Sequence, residues 1–309
     1  MKSGDFMSLK YIFNGYFRSG TTIIWEIIKT SNPDYKVFYE PFHDYLVERI
    51  KESIDKKNSV IVDNLHKKIL WEEYVAEGEK FIENLEEKGF KNQIFPKNIS
   101  DIYEYLNIYD SMDSNIILQT NRLHFHFQDV LKHYDLKAFH IIRNPLDIYN
   151  SIMNIYSRSS KLKHLIKKII YPFIGFPNPK TRAFKVDQRI NFIYENYNIP
   201  NYWDDKSLKQ EILNDPFKAN LLSWILCNYF LIKNNYKNGV QFIVYEDLIN
   251  NPRKIKKIVE KNSYLKFNIE KINTQNKSLD IYKEKKVLDT VKQLNLIDEY
   301  NLILDNIID

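Results

Sequence analysis

A short apolar run containing Leu9, Tyr11, Ile12 and Phe13 leads into Gly15-Tyr16-Phe17-Arg18-Ser19-Gly20-Thr21-Thr22, and an amphipathic pattern of Ile23, Ile24, Trp25, Ile27 and Ile28 follows. No other stretch constrains the fold as strongly, because this one reads as a strand, a tight turn and a helix N-terminus. Unpaired backbone N–H groups of the first helical turn and the positive end of the helix dipole point at whatever anion occupies such a turn. The spacing nearly meets the phosphate-binding pattern of Gly, four residues, Gly, Lys and then Ser or Thr, but Thr21 stands in the place of the lysine. An anion site without that lysine must draw its charge from elsewhere, and Arg18 is the cation within the turn.

The rest of the chain supports an α/β reading. Strand-like runs at Tyr11 to Gly15, Lys36 to Tyr39, Ile116 to Thr120, Ala138 to Ile142 and Val240 to Tyr245 alternate with helical patterns. This alternation predicts a three-layer P-loop-like fold, a central and mostly parallel sheet flanked by helices. Two polar and helical stretches, about 44–114 and 156–218, are too long for simple crossovers and read as helical insertions that shape a substrate cleft. From about 251 to 309 the pattern is helical and without glycine, which predicts terminal helices. The 309 residues, 44% of them hydrophobic, suit one domain over 1–309 with a sizeable core.

Charge and cysteine usage exclude several classes. Forty-five basic residues stand against 40 acidic ones for a net charge of +5, interspersed and without a polybasic tail, so charge does not point to nucleic acid. Cys227 is the single cysteine, which excludes an intramolecular disulfide and a cysteine-rich zinc site. No signal peptide opens the chain and no apolar run reaches the ~18 residues of a membrane span, so a soluble cytoplasmic protein is expected. One basic amphipathic run, 161–176, has Leu162, Leu165, Ile166, Ile169, Ile170 and Phe173 on one face and lysines on the other. Such a helix either packs on its own core or makes a peripheral membrane contact.

Three further segments carry chemistry. Phe139 to Ile142 reads as a buried strand that delivers Arg143 to the C-terminal edge of the sheet, where ligands of open α/β folds bind, and Ser151 could join Arg143 on one phosphate. Pro145 suits the first turn of the next helix, with Asp147 either capping it or holding Arg143. Glu40, after the strand at Val37 to Tyr39 and before Pro41, places a carboxylate near the anion-binding turn, where a general base could sit. Tyr245-Glu246-Asp247-Leu248 ends the last strand in carboxylates that read as caps of the following helix.

In this order the four segments resemble the sulfotransferase family that uses 3'-phosphoadenosine 5'-phosphosulfate. Its members carry a 5'-phosphosulfate loop similar to Phe17 to Thr22. They also carry a 3'-phosphate motif similar to Arg143-Asn144-Pro145-Leu146-Asp147, with a serine eight positions after the arginine as Ser151 is, and commonly a late Tyr-Glu-Asp-Leu strand end followed by a proline, as Pro252 follows here. The resemblance spans about Tyr11 to Ile258. It implies that the nucleotide is the donor and no metal is required. Arg18, Ser19, Gly20, Thr21 and Thr22 would hold the 5'-phosphosulfate, and Arg143 and Ser151 the 3'-phosphate. The acceptor would be a hydroxyl or amine of a carbohydrate, lipid, peptide or small molecule. Arg18 would also neutralise the leaving group.

The same resemblance bears on the base. In the cytosolic branch a Lys-Thr-His element supplies a histidine, whereas the comparable run here is Gln119-Thr120-Asn121-Arg122. Glu40 matches the glutamate of the carbohydrate, tyrosyl-protein and microbial members, which makes it the expected base, with His43, His124 and His126 as rivals. Trp25 lies two positions beyond the adenine-stacking tryptophan of the cytosolic branch, where this chain has Ile23, and the closing Arg-Lys-Gly element is absent. Two other readings stand beside this one: a P-loop kinase or NTPase, and a nucleotide-binding interaction module of the same fold without catalysis.

Overall fold

The computed structural model describes residues 7–55, 70–158, 185–197, 206–233, 239–270, 272 and 284–307. Its centre is a sheet of five strands, β1 (Leu9–Gly15), β2 (Tyr35–Tyr39), β3 (Asn115–Thr120), β4 (Lys137–Ile142) and β5 (Val240–Val244), in the order β2-β3-β1-β4-β5. Every neighbouring pair is parallel. Parallel strands covered on both faces read as near-continuous apolar runs rather than alternations, which is why all five were visible in the sequence. The first four begin one or two residues before the expected runs, and the last stops at Val244, with Tyr245 already beginning a helix.

Helices α1 (Thr21–Ser31), α2 (Leu46–Asp55), α3 (Glu72–Ala76), α4 (Glu79–Lys88), α5 (Ile99–Asp110), α6 (Phe127–Tyr134) and α7 (Pro145–Arg158) precede α8 (Val186–Asn196), α9 (Lys206–Asn214) and α10 (Pro216–Lys233). After β5 come α11 (Tyr245–Asn250), α12 (Pro252–Asn262), α13 (Lys285–Gln293) and α14 (Ile297–Asp305). Among the described residues, the first expected insertion, about 44–114, holds α2 to α5, and the expected terminal part from about 251 holds α12 to α14. The basic run 161–176 lies outside the described residues.

α10 is buried around most of its circumference, and Trp224 within it is fully enclosed and packs against Tyr300 of α14 with ring centroids 6.0 Å apart. A helix apolar on all sides belongs in the middle of a layer rather than at a surface. Trp25 is core as well, its indole N–H donating to the Val37 carbonyl at 2.9 Å. Among the described residues no helix is long and apolar enough to cross a membrane.

Register decides where the chemistry collects. β1 sits between β3 and β4: the chain runs from it toward β2 on one side and later crosses from β3 to β4 on the other, and at such a switch point ligands of open α/β sheets bind beyond the C-terminal strand ends. Gly15 pairs with Ile141, Tyr39 with Gln119 and Ile142 with Val244. The residues that follow these strand ends therefore share one edge: the turn 16–20, Glu40, Arg143 and Tyr245. Beneath that edge a buried polar string joins sheet to helix. Asn14 donates to His140 Nδ1 at 3.1 Å, the other ring nitrogen meets Asn228 Oδ1 on α10 at 2.8 Å, and Asn228 donates to the Trp224 carbonyl at 2.7 Å. Burial pushes His140 down to about 4, so the ring is neutral, with its proton on Nε2 facing Asn228.

Candidate active site

The turn after β1 is shaped by two glycines and a strained arginine. Gly20 caps α1 at φ 95°, in the left-handed region that glycine tolerates. A Cβ at Gly15 would lie 2.6 Å from Ser19 Oγ and 2.7 Å from Thr21 Cγ2, so the turn folds back on the strand only because that atom is absent. Arg18 itself has φ 66°, and Glu40 across the edge has φ 44°. For residues other than glycine and asparagine such backbones cost on the order of 1–2 kcal/mol, and they concentrate where surrounding structure fixes a functional group.

Ser19 is fully buried, its N–H donates to the Tyr16 carbonyl at 3.0 Å, and its hydroxyl has no hydrogen-bond partner among the described residues. Thr21 and Thr22 open α1, and the Thr22 hydroxyl meets the Tyr39 phenol at 2.9 Å. A buried hydroxyl without a partner, at a helix N-terminus with a cation beside it, fits an anion.

The second expected element lies against the first. Arg18 Nε donates to Ser151 Oγ on α7 at 3.3 Å, and Arg143 donates to the Arg18 carbonyl at 3.1 Å. The Arg143 guanidinium stands 4.4 Å from the centroid of the Tyr245 ring and 3.7 Å from the Asp147 carboxylate, and its Nε has no partner among the described residues. Asn144, not Asp147, caps α7: its side-chain oxygen accepts from the N–H groups of Leu146 at 2.7 Å and Asp147 at 3.1 Å. Glu246 departs from expectation in the same way. Instead of capping α11, it is fully buried and accepts the Asn144 N–H at 3.0 Å, tying α11 to the arginine turn.

Glu40 completes the edge. Its backbone N–H donates to the Gln119 carbonyl at 2.8 Å, and Asn121 donates to its Oε1 at 3.0 Å. Burial raises its pKa above the ordinary glutamate value, against the opposing pull of Arg122, a hydrogen bond from Tyr39 and the charge of Arg18. Tyr39 thus lies between Thr22 of the turn and Glu40, a short polar path from the anion site to the carboxylate. Arg122 does not replace the lysine missing at Gln119. It is committed to Asp44 at 2.9 Å and to the carbonyls of Gln93 and Ile94 at 3.2 and 3.1 Å. Burial pushes Asp44 upward, but Arg122 and Lys185 outweigh it and hold the carboxyl below the usual range.

The sulfotransferase domain, as a family profile, matches residues 10–299. The chain belongs to the sulfotransferase domain family. A relative by sequence is an uncharacterized protein of Archaeoglobus fulgidus (strain ATCC 49558 / DSM 4304 / JCM 9628 / NBRC 100126 / VC-16), 27% identical over 317 residues and aligned over 95% of this chain and 96% of its own. Similar solved structures include the sulfotransferase domain from the Synechococcus PCC 7002 olefin synthase, at 12% identity and a TM-score of 0.44 over 98% of this chain and 96% of that one. Another is the sulfotransferase domain from the curacin biosynthetic pathway, at 12% identity and a TM-score of 0.43 over 96% of each chain.

Within this sulfotransferase-family chain His124 touches the turn only through the edge of the Tyr16 ring, and burial lowers all three rival histidines. Burial holds His43 down to about 3, with Arg122 adding to the effect, and its Nδ1 accepts the Tyr45 N–H at 3.1 Å. His124 is enclosed by Tyr16, Phe95 and His140, and burial holds it well below the ordinary value. His126 is lowered for the same reason. Four residues at the edge have roles that the sequence did not reveal: Tyr39 and Asn121, which were given none, and Tyr245 and Glu246, whose segment was read only as a helix cap. Each ends or follows a strand whose neighbour had been singled out, and strand position was the cue that could have found them.

Proposed function

We propose that the chain, acting as one domain, transfers a sulfuryl group from 3'-phosphoadenosine 5'-phosphosulfate to a hydroxyl or amine of an acceptor such as a carbohydrate, lipid or small molecule. The observation that carries this reading is the meeting of two cationic elements, Arg18 on Ser151 at 3.3 Å and Arg143 on the Arg18 carbonyl at 3.1 Å. Both cationic side chains are thus brought to one sheet edge, and a ligand with two anionic groups suits that charge. Family membership supports sulfuryl transfer in general, and the double anion site supports a donor phosphorylated at both 3' and 5' positions.

In the proposed reaction the acceptor oxygen attacks sulfur in line as the bond from sulfur to the bridging oxygen of the 5'-phosphate breaks. The acceptor proton passes to Glu40, and the negative charge leaves on the bisphosphate. Arg18 and the N–H groups at the start of α1 receive that charge, and so contribute most where charge develops. Burial supports the role of Glu40, because a raised pKa brings a carboxylate closer to the basicity that proton abstraction near neutrality needs. The part of Arg143 and Ser151 is to hold the 3'-phosphate.

Calorimetry with adenosine 3',5'-bisphosphate, compared with ADP and with ATP plus magnesium, tests the donor. Selective binding of the bisphosphate, lost in Arg143→Ala, is expected; a preference for ATP with magnesium overturns the reading in favour of a kinase or NTPase.

A further inference from the structure

The Tyr-Glu-Asp-Leu segment has no part in the reaction as described, yet its first residue touches both halves of the donor site. The Tyr245 ring lies 4.4 Å from the Arg143 guanidinium. It also fills the space beside Gly20, where a Cβ would come under 3.0 Å from ring carbons Cδ2 and Cε2. The ring is half-buried, at the first position of α11, and the next residue, Glu246, anchors the backbone of Asn144 at 3.0 Å. One short helix therefore contacts the capping glycine of the 5' turn, the side chain of the 3' arginine and the backbone after that arginine.

We infer that Tyr245 is a positioning residue that sets Arg143 against the Gly20 turn and so makes the site selective for a nucleotide bearing phosphates at both 3' and 5' positions. The inference rests on the donor reading above. The other restraints on Arg143 are its hydrogen bond to the Arg18 carbonyl at 3.1 Å and Asp147 at 3.7 Å, and its Nε is without a partner among the described residues. An aromatic face attracts a guanidinium and keeps it in one plane, whereas an aliphatic side chain of similar bulk fills the space without that attraction. The ring also walls the left-handed glycine, so the same group fixes the distance between the two anion-binding elements.

The test compares the affinities of adenosine 3',5'-bisphosphate and 5'-AMP, by calorimetry, for the full chain and for Tyr245→Leu, Tyr245→Met and Tyr245→Phe, each checked for a cooperative melt. In the Leu and Met variants the bisphosphate is expected to weaken roughly tenfold, the loss of one cation–π contact, while 5'-AMP changes less than about threefold. Tyr245→Phe keeps the ring and retains the wild-type ratio. An unchanged ratio in Leu and Met, an equal loss for both nucleotides, or a Phe variant as impaired as Leu each overturns the inference while leaving the donor reading intact. A wild-type chain that binds 5'-AMP as tightly as the bisphosphate overturns the donor reading itself, and this inference with it. Two aliphatic variants of different shape keep the ratio measurable should one of them fail to fold.

Discussion

Replacing Gly20 with alanine separates two costs that the structure places at one atom. The left-handed backbone, at φ 95°, disfavours any L-residue, and the added methyl collides with Tyr245. The first cost is about 1–2 kcal/mol. Forcing a methyl into filled space adds roughly 1–3 kcal/mol. Gly20→Ala is therefore expected to lose about 2–5 kcal/mol of stability in urea unfolding followed by circular dichroism. Only the steric part depends on the ring. Tyr245→Ala opens the space, so the double variant is expected to be about 1–3 kcal/mol more stable than the sum of the two single losses implies, with the backbone cost remaining. The four proteins form a cycle measured in one buffer. A Gly20→Ala chain as stable as the wild type, or a double variant whose loss equals the sum, refutes the placement of Tyr245 as the wall of the turn.

Glu40→Gln is expected to lower kcat by about 10²–10⁴-fold. The same variant should melt no lower than the wild type at pH 7. The folded pKa of Glu40 is raised, so its stabilising neutral form is fully present below the unfolded value near 4.3 and is lost as pH rises through the raised folded value. In the active enzyme kcat/KM should climb with pH through an apparent pKa above that of an ordinary glutamate, and an acid limb at the ordinary value would contradict the burial of Glu40. His140 works in the opposite direction. Its displacement from 6.5 to about 4 removes roughly 3 kcal/mol of stability as pH falls from 6.5 to 4, and a His140→Leu variant should flatten that slope in urea melts. Arg143→Ala is expected to weaken adenosine 3',5'-bisphosphate by about 10–100-fold in calorimetry, the loss of a charge-assisted hydrogen bond, with 5'-AMP little changed.

Strands and turns were legible because their signals are local. Parallel strands buried on both faces leave unbroken apolar runs, and Arg18, Arg143 and Glu40 each sit where such a run stops, so the sheet edge could be assembled before any coordinates. Pairing across the edge was not legible, because it depends on register. That Glu246 reaches Asn144 rather than its own helix follows from β5 lying beside β4, with Ile142 opposite Val244. Asn121 illustrates the same limit. In sequence it is only the place where a histidine is missing, whereas the pairing of Tyr39 with Gln119 brings it within 3.0 Å of Glu40. Arg122 stands beside Gln119 and Asn121 in sequence with no sign of its partners, and only the fold reveals that Asp44 and the carbonyls of Gln93 and Ile94 already hold it. The acceptor depends on surfaces contributed by segments with no motif, and composition does not name it.

Turnover of the donor is the measurement that bears most directly on the proposed activity. With 3'-phosphoadenosine 5'-phosphosulfate and a panel of carbohydrate, lipid, peptide and small-alcohol acceptors, release of adenosine 3',5'-bisphosphate is followed for the wild type and Glu40→Gln. Acceptor-dependent release by the wild type, lowered at least about 100-fold in Glu40→Gln, is expected. Release at the wild-type rate by Glu40→Gln contradicts the assignment of the base, and no acceptor-dependent release from any member of the panel contradicts the enzyme reading in favour of a nucleotide-binding module.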